Sequence, residues 1–450
     1  AQTDIPATNA FYSPGELIVD IVTDENENKT IVFKDREGKV ILKKVQLADN
    51  PQQGHTGWLC TYYVYDAFNQ LRFVLPPKAV EKAALSVWVL DANTLDELCY
   101  KYCYDEEGKM SIKKIPGAGE IWMVYDQWDR LVLTQDANMR MDHKWLYTKY
   151  DALNRPVMKG FYTNTTYTTQ PNMETFVLSI SMERYENRYA TASFTNPGYT
   201  MVSSFPSVTV YTVIEAVFFD DYNWAIGPYK VKGSNWDNLF PSESNQYPYP
   251  QSLTGTIFTR SLITGSKYRH NLKDSALTTG NNSYIYYNDK GLPIQTRKPY
   301  MEGSSGRQTI ITNQYSFSGK LLQQVVYHGK SYTTLTNKYS YDHNGRLIQQ
   351  TSKAKDQPEK IISENTYNTL GQLKSKNLGD GLELQTYEYT IRGWLASVNG
   401  DYVASTVNNK HFGFNISYDY GFSSRQINGN IAGVKWKSAG DGELRAFGYD

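Results

Sequence analysis

Short runs of alternating apolar and polar character fill most of this chain, as at Tyr63-Val64-Tyr65 and Tyr102-Cys103-Tyr104. A period of two sends successive side chains to opposite faces, so each run predicts a strand in a sheet with two distinct faces. The runs stop at clusters that share one pattern. Tyr65-Asp66-Ala67-Phe68-Asn69-Gln70-Leu71 recurs, with variation, to make ten copies. Each copy opens on a short polar side chain: Asp35, Asp66, Asp105, Asp126, Asp151, Asn288, Ser316, Asp342, Asn368 or Thr390. All of these cap a turn through their own oxygen. Three residues later stand Gly38, Asn69, Gly108, Asp129, Asn154, Gly291, Gly319, Gly345, Gly371 and Gly393. Gly, Asn and Asp are the residues that tolerate positive φ. A type I turn closed by a left-handed residue is the three-residue class of hairpin loop.

The flanks agree with hairpins. Tyrosine precedes the turn in nine of the ten copies, and an apolar residue or proline follows two positions after the left-handed one. Successive copies lie 21 to 31 residues apart, apart from one spacing of 39 and one of 137. The chain is therefore expected to be all-β, an array of antiparallel hairpins laid side by side. The 39-residue spacing holds Pro76-Pro77-Lys78-Ala79-Val80-Glu81, which predicts one short helix near 78–90, with a second short turn over 93–98. The long gap is rich in Thr, Ser, Asn, Pro and Tyr, with weak strand signals at 174–184 and 208–219 and loop cues at Gly233-Ser234-Asn235 and Pro248-Tyr249-Pro250. Three regions result: hairpins over 1–160, a divergent β-rich or irregular insertion over 161–280, and hairpins again over 281–450. Within the last, 429–436 reads as a further irregular hairpin.

Composition narrows the chemistry. Forty-six basic residues balance 46 acidic ones, which removes the electrostatic reason to expect nucleic acid as a partner. No apolar run approaches the roughly 18 residues of a membrane-spanning helix. Tyr 37 against Phe 17 suits broad, half-wet strand surfaces. Cys99 and Cys103, read on one strand, share a face but lie about 13 Å apart, too far for a disulfide. The three cysteines and six histidines show no metal-ligand spacing, and no nucleophile elbow or phosphate-binding loop occurs. No catalytic residue, metal ligand or cofactor site is expected, and the repeated aspartates are read as turn formers. Trp128, Trp145 and Trp394 have the faces that stack on sugars, but cross-strand pairing along the sheet is the favoured account of them.

The recurring Tyr-Asp-x-x-Gly-Arg-Leu pattern resembles the RHS, or YD-repeat, proteins. Longer stretches are similar to the large RHS proteins of Bacteroidetes: Phe73-Val74-Leu75-Pro76-Pro77, 124–131, 134–138, 149–156 and Asn428-Gly429-Asn430-Ile431-Ala432-Gly433. The resemblance implies a sheet strip spiralling into a hollow, cocoon-like shell. In bacterial toxins of that family the shell encloses a C-terminal effector, and in teneurins it belongs to an adhesion receptor. The Asp-Pro-x-Gly signature of the toxins' autoprotease core is missing, since this sequence contains no Asp-Pro dipeptide.

The expectation is then a non-enzymatic shell segment, secreted or on the cell surface. Its partners would be an in-cis C-terminal cargo domain, the remaining RHS repeats, and an outer-membrane or secretion-system component. The alternative is an adhesion or carbohydrate-binding repeat module. Asp274-Ser275-Ala276 resembles the O-glycosylation acceptor of exported Bacteroidetes proteins. Tyr449-Asp450 reads as an eleventh copy cut in half, so the isolated chain is expected to expose a strand edge and to be poorly soluble or oligomeric.

Overall fold

A computed structural model describes residues 5–6, 12–24, 27–86, 88–189, 197–209, 212–269, 281–299, 308–329, 333–405, 410–423, 426, 429–440 and 442–449. The protein is all-β. Among the described residues, 26 strands are hydrogen-bonded as one antiparallel sheet. Strand follows strand in sequence order: Gln308–Tyr315 pairs with Leu321–His328, which pairs with Thr333–Tyr341. Two compact units divide the chain. One comprises Ala1–Met123, Tyr367–Ser375 and Glu383–Asp450, the other Val124–Thr366 and Lys376–Leu382.

In the first unit the expected helix near 78–90 is corrected to two helices, α1 (Pro77–Leu85) and α2 (Ala92–Leu98). Helix α1 ends at Ser86, and Asp91 starts α2 by accepting the Thr94 N–H at 2.8 Å. Ala79, Val80 and Ala83 of α1 pack on Cys60, Phe73, Leu75 and Cys99. Cys99 lies just before the strand Tyr100–Tyr104 instead of sharing it with Cys103, because α2 runs up to Leu98. The three cysteines are buried and unbridged. The irregular hairpin expected over 429–436 is the strand Gly433–Ser438, paired with Phe412–Ser417 on one side and Leu444–Gly448 on the other.

In the second unit the long gap does not interrupt the sheet. Val213–Asp220 and Thr259–Tyr268 carry the ladder from Pro156–Thr163 to Asn281–Tyr287. A short helix, α3 (Ala137–Met141), is capped by Asp136. The weak strand signal at 174–184 is overturned: the chain there forms helix α4 (Gln170–Ser179), which buries Gln170, Met173 and Val177. Proline sits in its first turn, and those three positions fall on one helical face despite β-favouring neighbours.

Between the strands Val213–Asp220 and Thr259–Tyr268, the loop at 227–241 lies across one face of the sheet. Facing residues along that face are buried in succession: Lys149 opposite Met158, Met158 opposite Ala216, Ala216 opposite Lys267. Sheet side chains then bond the insertion's backbone. Gln295 exchanges two bonds with Gly233, Gln314 Nε2 donates to the Pro241 carbonyl, and Gln323 Nε2 to that of Leu239. A column of rings holds the layers together. Phe218 and Trp224 stack at 4.0 Å, Trp224 and Tyr284 at 4.8 Å, and Tyr284 and Tyr229 at 4.7 Å. Gly265 makes room for it, since a Cβ there would lie 2.4 Å from the Trp224 ring.

Candidate functional site: the row of hairpin tips

The repeated motif places ten hairpin tips, numbered here 1 to 10, at 35–38, 66–69, 105–108, 126–129, 151–154, 288–291, 316–319, 342–345, 368–371 and 390–393. At every tip the residue three positions after the opening one is left-handed, with φ between 59° and 86°. The opening residue's N–H donates to the carbonyl four positions on, and the left-handed N–H donates back to the opening carbonyl. All twenty bonds measure 2.8 to 3.1 Å.

Side chains complete the turn. Asp35, Asp66, Asp105, Asp126, Asp151, Asn288, Asp342 and Asn368 each accept the N–H groups two and four positions on, at 2.8 to 3.0 Å. Ser316 and Thr390, one atom shorter, accept the N–H four positions on, from Lys320 and Trp394. Where that position is arginine it also closes an ion pair: Arg130 with Asp126 at 2.7 Å, Arg155 with Asp151 at 2.6 Å, Arg346 with Asp342 at 2.7 Å. The Arg346 backbone N–H, and then its side chain, hold the Asp342 carboxyl below the usual carboxylate range.

Within each unit, neighbouring tips are tied where two side chains of the motif reach the next hairpin. One is the tyrosine before the turn, whose hydroxyl donates to the first carbonyl of the preceding hairpin's returning strand. Tyr104 reaches Leu71, Tyr150 reaches Leu131, Tyr315 reaches Pro293, Tyr341 reaches Leu321 and Tyr389 reaches Leu373, all at 2.8 to 3.1 Å. The other is the residue after the left-handed position, which lies against the next tip's left-handed residue. Lys39 Nζ meets Asn69 Oδ1 at 2.5 Å, and Arg130 Nη1 meets Asn154 Oδ1 at 3.3 Å. Gln70 crowds Gly108 and Lys320 crowds Gly345, where a Cβ would lie 2.9 and 3.0 Å from them. The inter-hairpin role of tyrosine was missed in the sequence. Its signal was the strict choice of tyrosine over phenylalanine at that one position.

The tryptophans singled out for stacking are not brought together. Trp145 is fully buried. Trp128 lies at tip 4 beneath the Arg130 guanidinium, and Trp394 packs between Arg392 and Tyr418. An exposed aromatic face exists elsewhere, on the strands Phe412–Ser417, Gly433–Ser438 and Leu444–Gly448. It is formed by Phe412, Phe414, Val434, Trp436, Phe447 and Tyr449. Its period-two spacing was legible but was not singled out. Among the described residues no group of His, Cys, Asp and Glu is placed to hold a metal ion. No described helix is long and apolar enough to cross a membrane. Asp274-Ser275-Ala276 and Asp450 lie outside the described residues.

No family model matches the chain, and no curated protein does. Solved structures do. The Photorhabdus luminescens Tc holotoxin pore with a TccC3 mutation aligns at 15% identity and a TM-score of 0.41, over 94% of this chain and 19% of that chain. A TcdB2–TccC3 crystal structure aligns at 15% identity and a TM-score of 0.40, over 94% of this chain and 20% of that one. The chain thus spans about a fifth of the structures it matches. Likeness this slight carries no functional argument, and the role of the chain has to be argued from its own residues.

Proposed function

We propose that this chain is a non-enzymatic shell segment of an RHS-type repeat protein, and that it encloses or presents a cargo carried on the same polypeptide. The observation that carries the reading is the tyrosine stitch. At five tips the tyrosine just before the turn bonds its hairpin to the preceding one, so strands accumulate without a new core for each. In this reading the repeated Asp, Asn and Gly build a wall, and the insertion lines one of its faces. The partners are the cargo domain, further repeats of the same protein and an outer-membrane or secretion-system component, at an extracytoplasmic location.

Limited proteolysis of the full natural polypeptide tests the proposal. The region beyond this chain is expected to survive protease in native buffer and to become digestible when Gly345→Val and Gly371→Val together disrupt the tips. Equal digestion of that region in the two proteins would overturn it. A second reading, surface adhesion through carbohydrate, is favoured by the exposed aromatic face. A glycan array should then show binding that Trp436→Ala abolishes; an array without binding removes that reading.

A further inference from the structure

In the second unit a cleft opens between two loops of the insertion, 230–237 and 252–257. It holds about 520 Å³, within the roughly 300–1,000 Å³ of small-molecule sites. Its floor is aromatic. Tyr222 stacks on Tyr286 of the strand Asn281–Tyr287, with ring centres 5.0 Å apart. Both hydroxyls are already spent, that of Tyr222 on the Ile285 carbonyl and that of Tyr286 on the Tyr229 carbonyl, each at 2.7 Å. The rings therefore bring apolar surface to the cleft and no spare donor.

One wall supplies a fixed acceptor. Lys232 Nζ lies 2.6 and 2.8 Å from the two carboxylate oxygens of Asp237 and also donates to the Gly233 carbonyl at 3.2 Å. The lysine side chain is 9% exposed and the aspartate 32%. Each carboxylate oxygen accepts one bond from the ammonium and keeps a further lone pair. The other wall supplies donors. The segment 252–257 belongs to no strand, and among the described residues the N–H groups of Leu253 and Gly255 meet no acceptor. Ser252 Oγ and Thr254 Oγ1 are 2.8 Å apart. Two hydroxyl hydrogens belong to that pair and their mutual bond uses one, which leaves one to donate. Lys230 adds an exposed ammonium to the same lining.

These groups select the ligand. A simple anion would meet the Asp237 carboxylate, and a simple cation would meet Lys230. The ligand that suits both walls donates and accepts hydrogen bonds without net charge and lays an apolar face on the floor. A sugar ring does all three, since each hydroxyl is donor and acceptor and the ring C–H groups form an apolar face. We propose that this cleft is a binding site for a neutral oligosaccharide. Sugar hydroxyls would donate to Asp237 and accept from the Leu253 and Gly255 N–H groups, with a ring lying over Tyr222. The inference is independent of the shell reading. It also uses none of the exposed aromatic face at Trp436, which belongs to the first unit.

Saturation-transfer NMR on the intact protein tests it, with cellotriose, maltotriose and N-acetylchitotriose as neutral probes and the trimer of galacturonic acid as an acidic one. Saturable transfer to at least one neutral trisaccharide is expected. Asp237→Asn should weaken it about tenfold, equivalent to about 1.4 kcal/mol. Thr254→Val, which leaves the Lys232–Asp237 pair in place, should weaken it about threefold. Circular dichroism checks that both variants keep their strands. Trp436→Ala should leave binding unchanged. Absence of transfer to all three neutral probes would overturn the proposal, as would binding of the acidic trimer alone. So would binding that survives both cleft variants, or binding lost on Trp436→Ala, which would put the sugar on the other aromatic face.

Discussion

At the scale of single residues, the left-handed positions and one buried ion pair carry the sharpest expectations. Gly345 has φ 75°, and a side chain there meets Lys320 of the preceding hairpin. Gly345→Val should lower stability by about 1–2 kcal/mol, and Gly345→Asn by less, because asparagine tolerates this region and valine does not. Denaturant midpoints compare the two. Lys149 Nζ and Glu186 Oε1 are 2.5 Å apart with both side chains wholly buried. Lys149 also donates to the Met201 and Ser204 carbonyls, and Glu186 accepts from Thr200 and Ser204. Burial alone would raise the Glu186 carboxyl, but the Lys149 ammonium and these donors outweigh it and hold it below the usual value. The unfolded chain then takes up this proton first as pH falls. The carboxylate's contribution is complete above the ordinary glutamate value of about 4.3 and is lost below it. Glu186→Gln leaves the ammonium unpaired and should cost about 3–5 kcal/mol at pH 7. That deficit should shrink as pH drops toward 3.5 in a series of urea melts. A constant deficit would mean that the pair does not titrate as described.

At the scale of elements, stacked rings fasten the insertion's loop at 221–229 to the sheet beside the two strands that the insertion contributes. Trp224 lies between Phe218 and Tyr284, and its indole N–H donates to Thr264 Oγ1 at 2.9 Å. Trp224→Ala should cost about 3–5 kcal/mol, as for other large-to-small changes in a core. Cleavage by a low dose of protease should then move into 221–258, with the strand content by circular dichroism preserved. Cleavage spread evenly along the chain would contradict this division of labour. Elements also show where patterns mislead. The run 174–184 looks like a strand residue by residue, yet Met173 and Val177 lie one helical turn apart, and burying that stripe on the sheet decided for α4.

Across the whole molecule, a chain of hairpins bonded to their neighbours should behave as a repeat array, with perturbations that stay local. Tyr341→Phe removes one hydroxyl bond, to the Leu321 carbonyl. Hydrogen exchange is expected to quicken by a few-fold in the strands around tips 7 and 8, consistent with about 0.5–1.5 kcal/mol for the bond. The strands around tips 1 to 3 should keep their rates. Uniform acceleration would mean that the sheet opens as one cooperative body.

How much of this could be read from the chain alone depends on how local the cause is. The turns were legible, because a capping oxygen and a left-handed residue three positions apart specify a loop without help from anything distant. Alternation then implied strands, and the even spacing implied sequential pairing. The tyrosine hydroxyls and the placing of Lys149 against Glu186 were not legible. Each joins residues that only sheet register brings together, 16 to 37 positions apart in the bonds concerned. The fate of the long insertion was decided in the same way. Its sequence lacks the repeat's own signals, and its loop at 227–241 lies on one face of the sheet because that face offers buried rings and amide side chains that its backbone can bond.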